Sequence, residues 1–294
     1  MSSLSDVRAY VELTRPQNVS GSVLTYCIGY FLLPSASLSW QFLAGLFIFV
    51  ALHSFATVQN DVADFEIDKA NKRKSVLQDG TLSMKNAHLF VWGLCLFAVL
   101  IAILSPDTKF NLAAIAGFLL LSMIYNLPPI QASKRPVLSI IIMALCFGAL
   151  PFIYGYALAN GDVSSTVIAM MICWFLARFS TTIMKDYKDT AGDKKYSKNT
   201  FYLRFGGRAT GWTSIVLAAA SYLGILTLLL RLQDQNAVFA ITFSLVLLLA
   251  LRSVIQRLQV VRLTNEDKLN KVFHQALLSH NQFEAAVLAC LILS

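Results

Sequence analysis

Charge is what this sequence lacks. Only 14% of its 294 residues are Asp, Glu, Lys or Arg, while 56% are hydrophobic, and the mean hydropathy is +0.62. A soluble globular chain carries about 25% charged residues and cannot hide this much apolar surface. An ordinary cytosolic enzyme and a disordered chain are therefore excluded. Cysteine offers no scaffold either. Cys27, Cys95, Cys146, Cys173 and Cys290 all fall in apolar segments without a C-x-x-C pair. They read as small buried hydrophobes, which excludes a disulfide-rich secreted domain. No compact apolar core accompanies Arg8, Glu12 and Arg15 at the start, so no cleavable signal peptide is expected.

What is present is a succession of apolar runs. They lie at about 18–34, 39–59, 86–105, 110–126, 137–158, 164–184, 210–231, 236–256 and 272–293. A helix needs roughly 20 residues to cross the hydrocarbon core. The expected fold class is thus all-α, a single polytopic membrane domain over 1–294 with about nine transmembrane helices. The last run is the weakest, because His274, His280 and Glu284 interrupt it.

The net charge of +8 would suggest nucleic acid in a soluble protein. In a membrane protein it reports loop orientation and anionic lipid, so membrane lipid is the expected partner and nucleic acid is not. With nine spans, all of the 24 Lys and Arg except Lys109 and Arg231 fall on one side. The positive-inside rule places that side, with the N-terminus, in the cytoplasm, and an odd span count places the C-terminus outside. The setting expected is a bacterial or archaeal plasma membrane.

Two of the helices emerge on the basic side with matched acidic motifs. One reads Asn60-Asp61-Val62-Ala63-Asp64-Phe65-Glu66-Ile67-Asp68, the other Lys185-Asp186-Tyr187-Lys188-Asp189-Thr190-Ala191-Gly192-Asp193. Both contain D-x-x-D-x-x-x-D and both run into a basic stretch. On a continuous helix positions i, i+3 and i+7 share one face, so each motif is expected to form a carboxylate stripe. Three carboxylates on one face repel unless a cation lies between them. Mg²⁺ prefers oxygen ligands and keeps water and substrate phosphates in its shell. Two stripes could hold such ions around a diphosphate, with lysines and arginines covering the remaining charge. The plain alternative is a solvated loop surface, which one motif would leave open and a matched pair makes hard to sustain.

The paired motifs resemble the aspartate signature of the UbiA superfamily of intramembrane prenyltransferases. Lesser marks agree in order. Thr14-Arg15-Pro16-Gln17-Asn18 resembles the family's R-P-x-N opening, Tyr125-Asn126-Leu127-Pro128-Pro129 its Y-S-x-P-P turn, and Gly148-Ala149-Leu150-Pro151 its G-x-L-P. Asn199-Thr200-Phe201 followed by Phe205-Gly206 resembles its closing T-x-x-x-x-x-G stretch.

The resemblance implies helices around a central lipid-accessible cavity, in two pseudo-repeats of about helices 1–4 and 5–8. It also implies Mg²⁺-dependent transfer of a prenyl group from an isoprenyl diphosphate to an electron-rich acceptor, an aromatic or quinone precursor or a lipid, through an allylic carbocation. The metal ligands it implies are Asn60, Asp61, Asp64, Asp68, Asp186, Asp189 and Asp193. Of these, Asp61, Asp64, Asp186 and Asp193 would serve catalysis most directly. Arg73, Lys74, Lys185, Lys188 and Lys194 would hold the diphosphate. The G-D-K-K and N-T-F of the second motif look more like the lipid, chlorophyll and homogentisate branches than the hydroxybenzoate branch.

Asn18, His53, Tyr125 and Arg178 are candidates for the acceptor or cavity, with Arg15 and Glu284 weighed beside them. Asn18 and Arg15 either reach the site or anchor the membrane interface. His53 lies seven residues before Asn60 and so on the same face, although a lone helical histidine is more often packing. Tyr125 could stabilise a cation through its ring. Arg178, an intramembrane cation, either faces a substrate or has a structural partner. Glu284 is either a cavity residue or part of a frayed last helix.

Two departures stand out. Ser75-Val76 replaces the Arg-Pro that family members carry after the first motif, and Ser197 replaces a usual glycine. Two other classes are a cation-coupled secondary transporter and a non-catalytic scaffold of a lipid pathway. Transporter sites lie near the bilayer midplane at Gly/Pro-broken helices, whereas these aspartates sit at helix ends.

Overall fold

A computed structural model describes residues 4–187, 189–232 and 236–293. The described residues are helices and their connections: α1 (Leu4–Thr14), α2 (Pro16–Phe31), α3 (Trp40–Ala63), α4 (Phe65–Ala70), α5 (Met84–Ile103), α6 (Thr108–Asn126), α7 (Leu138–Ala144), α8 (Leu150–Leu158), α9 (Ser165–Thr182), α10 (Thr190–Lys195), α11 (Phe201–Leu232), α12 (Ala237–Leu258) and α13 (Glu266–Leu293). A π-turn, Leu145–Ala149, joins α7 to α8. Pro151 has no N–H to give the preceding turn, and the widened turn accommodates it.

Local chemistry sets the starts. Ser39, Ser83, Ser164 and Asn236 accept from the backbone N–H of Phe42, Asn86, Val167 and Phe239, capping α3, α5, α9 and α12. α11 bends at Gly206, whose φ of 80° is a conformation glycine adopts without a Cβ penalty.

Among the described residues eight helices are long and apolar enough to cross a membrane, and the protein is an integral, multi-pass membrane protein. The count of nine is therefore approximate. The run at 18–34 folds as α2, whose 16 residues span about 24 Å at 1.5 Å each, shorter than the other spans. Outward faces are apolar: Leu89, Trp92, Leu96 and Leu100 on α5, and Ile241, Leu248 and Ile255 on α12, are all exposed. In water such surfaces would aggregate; in hydrocarbon they face their natural solvent.

The chain divides into two compact units. The first comprises residues 1–23, 38–135 and 189–199, the second 24–37, 136–188 and 200–294. The first packs α1, α3 and α5 around Leu13, Phe55, Val58, Leu77 and Val91. The second has a larger core from α8, α9, α11, α12 and α13, including Phe152, Trp174, Tyr222 and Phe283. The second aspartate motif is split between them, with Lys185 and Asp186 in the second unit and Asp189 and Asp193 in the first.

Candidate active site

The continuous helical stripe expected for each motif is not what forms. α3 ends at Ala63, and Asp64 sits at φ −95° and ψ 10° between α3 and α4. The backbone bonds Asp64 N–H to Asn60 O and Asp68 N–H to Asp64 O, both 2.8 Å, still carry the helical spacing across this joint. In the second motif, residues 183–187 form a turn. There Met184 and Lys185 donate to the carbonyls three residues back, on Thr181 and Thr182, tightening the chain below helical pitch. Asp189 then begins the short α10.

In the first unit the two motifs meet. α10 lies against α4 because Gly192 allows it. A Cβ there would stand 2.6 Å from Ile67 O and 2.7 Å from the Asn71 side chain. Instead the Gly192 N–H donates to Asn71 Oδ1 at 2.5 Å. Asp61, Asp64, Asp68 and Asp193 are all buried.

Each aspartate of the first motif has a cation. Arg15, at φ 51° between α1 and α2, donates to Asp61. Arg73 Nη1 lies 2.8 Å from Asp68 and 3.5 Å from Asp61. Lys198 Nζ lies 2.8 Å from Asp64 and 4.0 Å from Asp193, joining the motifs. Asn60 Nδ2 donates to Asp64 at 3.0 Å and to Asn126 Oδ1 at 3.4 Å, and Asn126 donates to Gln59. Burial, and then the Asp61 and Asp64 carboxylates, push the Asp68 carboxyl up to about 7. A buried set of oxygens that resist sharing negative charge suits a hard cation, so the donor chemistry fits Mg²⁺. Among the described residues no three acids close around one ion by themselves.

Beside Asp61 opens a polar cleft of about 150 Å³, lined by Arg15, Gln17, Arg73, Lys74 and Ser75 among others. Arg73 and Lys74 thus stand where an anion could enter, and Ser75 of the missing Arg-Pro lies with them. Among the described residues the exposed Lys194 is in no ion pair.

The remaining candidates are placed as follows. Asn18 is half-buried near the start of α2, its N–H bonded to Arg15 O at 2.8 Å. His53 is buried on α3, edge-on to Phe49. Tyr125 is buried at the end of α6, next to Asn126 of the Asn60 network. In the second unit, Lys185 Nζ lies 3.9 Å from Asp186 and 2.9 Å from Met143 Sδ. Arg178 has a structural partner, Glu284, at 3.1 Å. Lys188 lies outside the described residues.

Sequence reasoning missed Lys198, Asn71 and Asn126 as members of the acidic site. A basic residue five positions after Asp193, and an asparagine three after Asp68, were the available signals. The last run also reads as interrupted in the sequence, by His274, His280 and Glu284. Arg257 is 0% exposed and α13 runs unbroken through Glu284. A buried ion pair cancels in space what hydropathy counts singly along the chain.

These features define the class: a multi-pass α-helical membrane protein with two aspartate motifs and basic residues gathered at helix ends. The model of the UbiA prenyltransferase family matches residues 22–280. The chain belongs to that family. Digeranylgeranylglyceryl phosphate synthase of Methanococcus aeolicus is 29% identical over 212 residues, covering 68% of this chain and 72% of that protein. The synthase of the same name from Sulfolobus acidocaldarius is 32% identical over 222 residues, covering 75% and 76%. Among solved structures, a UbiA homologue from Archaeoglobus fulgidus bound to DMAPP and Mg²⁺ matches with a TM-score of 0.66 at 21% identity, over 95% of this chain and 99% of that one. The apo UbiA homologue from Aeropyrum pernix matches with a TM-score of 0.70 at 15% identity, over 92% and 96%. At these identities the structural likeness is one of fold.

Proposed function

We propose that the protein transfers a prenyl group from an isoprenyl diphosphate to a lipid-like acceptor bearing a glyceryl phosphate, within the membrane and with Mg²⁺. The observation that carries this reading is the meeting of the first motif with Asp193 of the second in one buried acidic cluster, each aspartate of the first motif matched to a cation. In the first unit Asn60, Asp61, Asp64, Asp68, Asp189 and Asp193 would hold the metal, and the motif resemblance adds Asp186 as a ligand; one or two carboxylates per ion plus substrate phosphates is the usual Mg²⁺ shell. When bound, the metal supplies positive charge to the departing diphosphate.

The chain's own residues do the rest. Arg73 and Lys74, with Arg15 and Lys198 released from their carboxylates, bind and orient the phosphates as charge develops on the leaving oxygen. The allylic C–O bond breaks with its electron pair leaving on diphosphate. An acceptor oxygen supplies the pair for the new bond and loses its proton. An apolar cavity of the kind the resemblance implies would exclude water and keep the cation from being quenched. The names of the relatives from Methanococcus aeolicus and Sulfolobus acidocaldarius support the glyceryl phosphate acceptor. The distribution of Lys and Arg supports a cytoplasmic N-terminus and active-site loops, in a plasma membrane.

The test incubates membranes containing the protein with labelled geranylgeranyl diphosphate, MgCl₂ and a panel of acceptors. A glyceryl phosphate lipid should be prenylated, and EDTA should stop the reaction. Full transfer in EDTA defeats the metal reading, and transfer to aromatic acceptors alone defeats the lipid reading. Labelled-solute counterflow in proteoliposomes without prenyl transfer would instead indicate the transporter.

A further inference from the structure

In the second unit Arg257 is a fully buried guanidinium inside an apolar helix, where an unpaired cation is costly. Among the described residues it has no carboxylate partner. Its donors go to neutral oxygens on three helices. Nη1 bonds Ser253 O at 2.9 Å and the Ser253 hydroxyl. Nη2 bonds Thr181 Oγ1 at 2.9 Å, and Nε bonds Ser214 Oγ at 3.1 Å. Ser214 in turn donates to Ser180 O at 2.6 Å.

Two of those three routes end on one place, the last turn of α9. The final carbonyls of a helix have no intrahelical donor, and positive charge is favourable there. Phe179 O, Thr181 O and Thr182 O accept from the N–H groups of Ile183, Met184 and Lys185. Ser180 O is met by Ser214, which Arg257 holds. Asp186 follows immediately, between Met184 and Tyr187, both 0% exposed and packed with Val260 in one apolar cluster.

We infer that Arg257 is a positioning residue for the second aspartate motif: through Ser214 and Thr181 it fixes the end of α9 and hence the direction in which Lys185 and Asp186 leave it. The inference deepens the proposed function and rests on its reading of Asp186 as a metal and diphosphate residue. A lysine could restore charge at this place but not the three-way fork of a guanidinium.

The experiment compares Arg257→Gln, Arg257→Lys and Ser214→Ala in the full-length protein in detergent, with the exposed Arg252→Gln as control. Amide exchange over residues 180–187 and the Mg²⁺ concentration for half-maximal transfer of geranylgeranyl groups are both read. Ser214→Ala, which keeps the guanidinium, should speed exchange over 180–187 alone and raise Mg²⁺ half-saturation roughly tenfold. Arg257→Gln should exceed it, and Arg257→Lys should recover part of the loss. If Arg257→Gln does not fold, Ser214→Ala decides. Native exchange over 180–187 and native Mg²⁺ half-saturation in folded Ser214→Ala overturn the proposal. Asp186→Ala separates the two readings. Native Mg²⁺ dependence in that variant defeats the ligand role of Asp186, while exchange in Arg257→Gln and Ser214→Ala together still reports whether the Arg257–Ser214 link holds the segment.

Discussion

The two units treat buried charge in opposite ways. In the first, the aspartates of α3 and α4 face Arg15, Arg73 and Lys198, and the two arginine side chains remain 23% exposed. In the second, a chain of polar contacts runs from Arg178 through Glu284, His280, Tyr222 and Ser253 to Arg257, and Glu284 also accepts from Thr25 at 2.8 Å. Glu284, His280 and Arg257 are all 0% exposed. A partly solvated acid–base cluster can trade its internal partners for a metal and a phosphate at little cost. A fully desolvated one cannot, because any group released would be left charged in an apolar interior. The first arrangement suits chemistry that comes and goes; the second suits permanent helix placement.

Five single substitutions and one double replacement probe that contrast, in order of expected effect. Asp61→Ala and Asp186→Ala should each lower prenyl transfer by about three orders of magnitude, because leaving-group stabilisation is lost. Unfolding in detergent should hardly change, and a loss below tenfold would place the chemistry elsewhere. Glu284→Ala should do the reverse. It strands Arg178 and destabilises the fold by about 3–5 kcal/mol in denaturant titrations. Replacing Arg178 and Glu284 together by Met and Leu should return most of that, and no recovery would show that the pair does more than neutralise itself.

Gly192→Ala tests how the motifs are brought together. The added methyl must push α10 from Ile67 O and Asn71, with a loss of about 1–3 kcal/mol and weaker Mg²⁺ dependence of transfer. Unchanged Mg²⁺ half-saturation would mean that the approach of α10 to α4 is dispensable. The smallest effect is a gain. Ser197 stands at φ 56°, in the left-handed region, and Ser197→Gly should stabilise the fold by about 1 kcal/mol. A lower unfolding midpoint would show that the serine side chain compensates for its strained backbone.

Much of this was legible residue by residue. The spans announced themselves through hydropathy, and the aspartate motifs through matched spacing. Ser197 is instructive: the substitution of a usual glycine was visible in the sequence, but only its backbone conformation explains why glycine is usual. Lys198 lay hidden among many basic residues, since nothing in a loop's composition says which cation reaches Asp64. The places of Arg257 and Glu284 were not legible, because burial and partnership are properties of folded space. The Arg178 partner of Glu284 is 106 residues away along the chain, and its Thr25 partner 259.

The sequence by itself determined the solvent of this protein, the class of its helices and the chemistry of its scarce charges. Those depend on composition and short-range periodicity, which require no knowledge of distant contacts. Only the tertiary structure decided which cation meets which acid, that α10 closes on α4 through Gly192, and that a buried arginine stands beneath the second motif. Hydrogen bonds and ion pairs act over a few ångströms, and proximity on that scale between residues far apart in the chain exists only once the helices have packed.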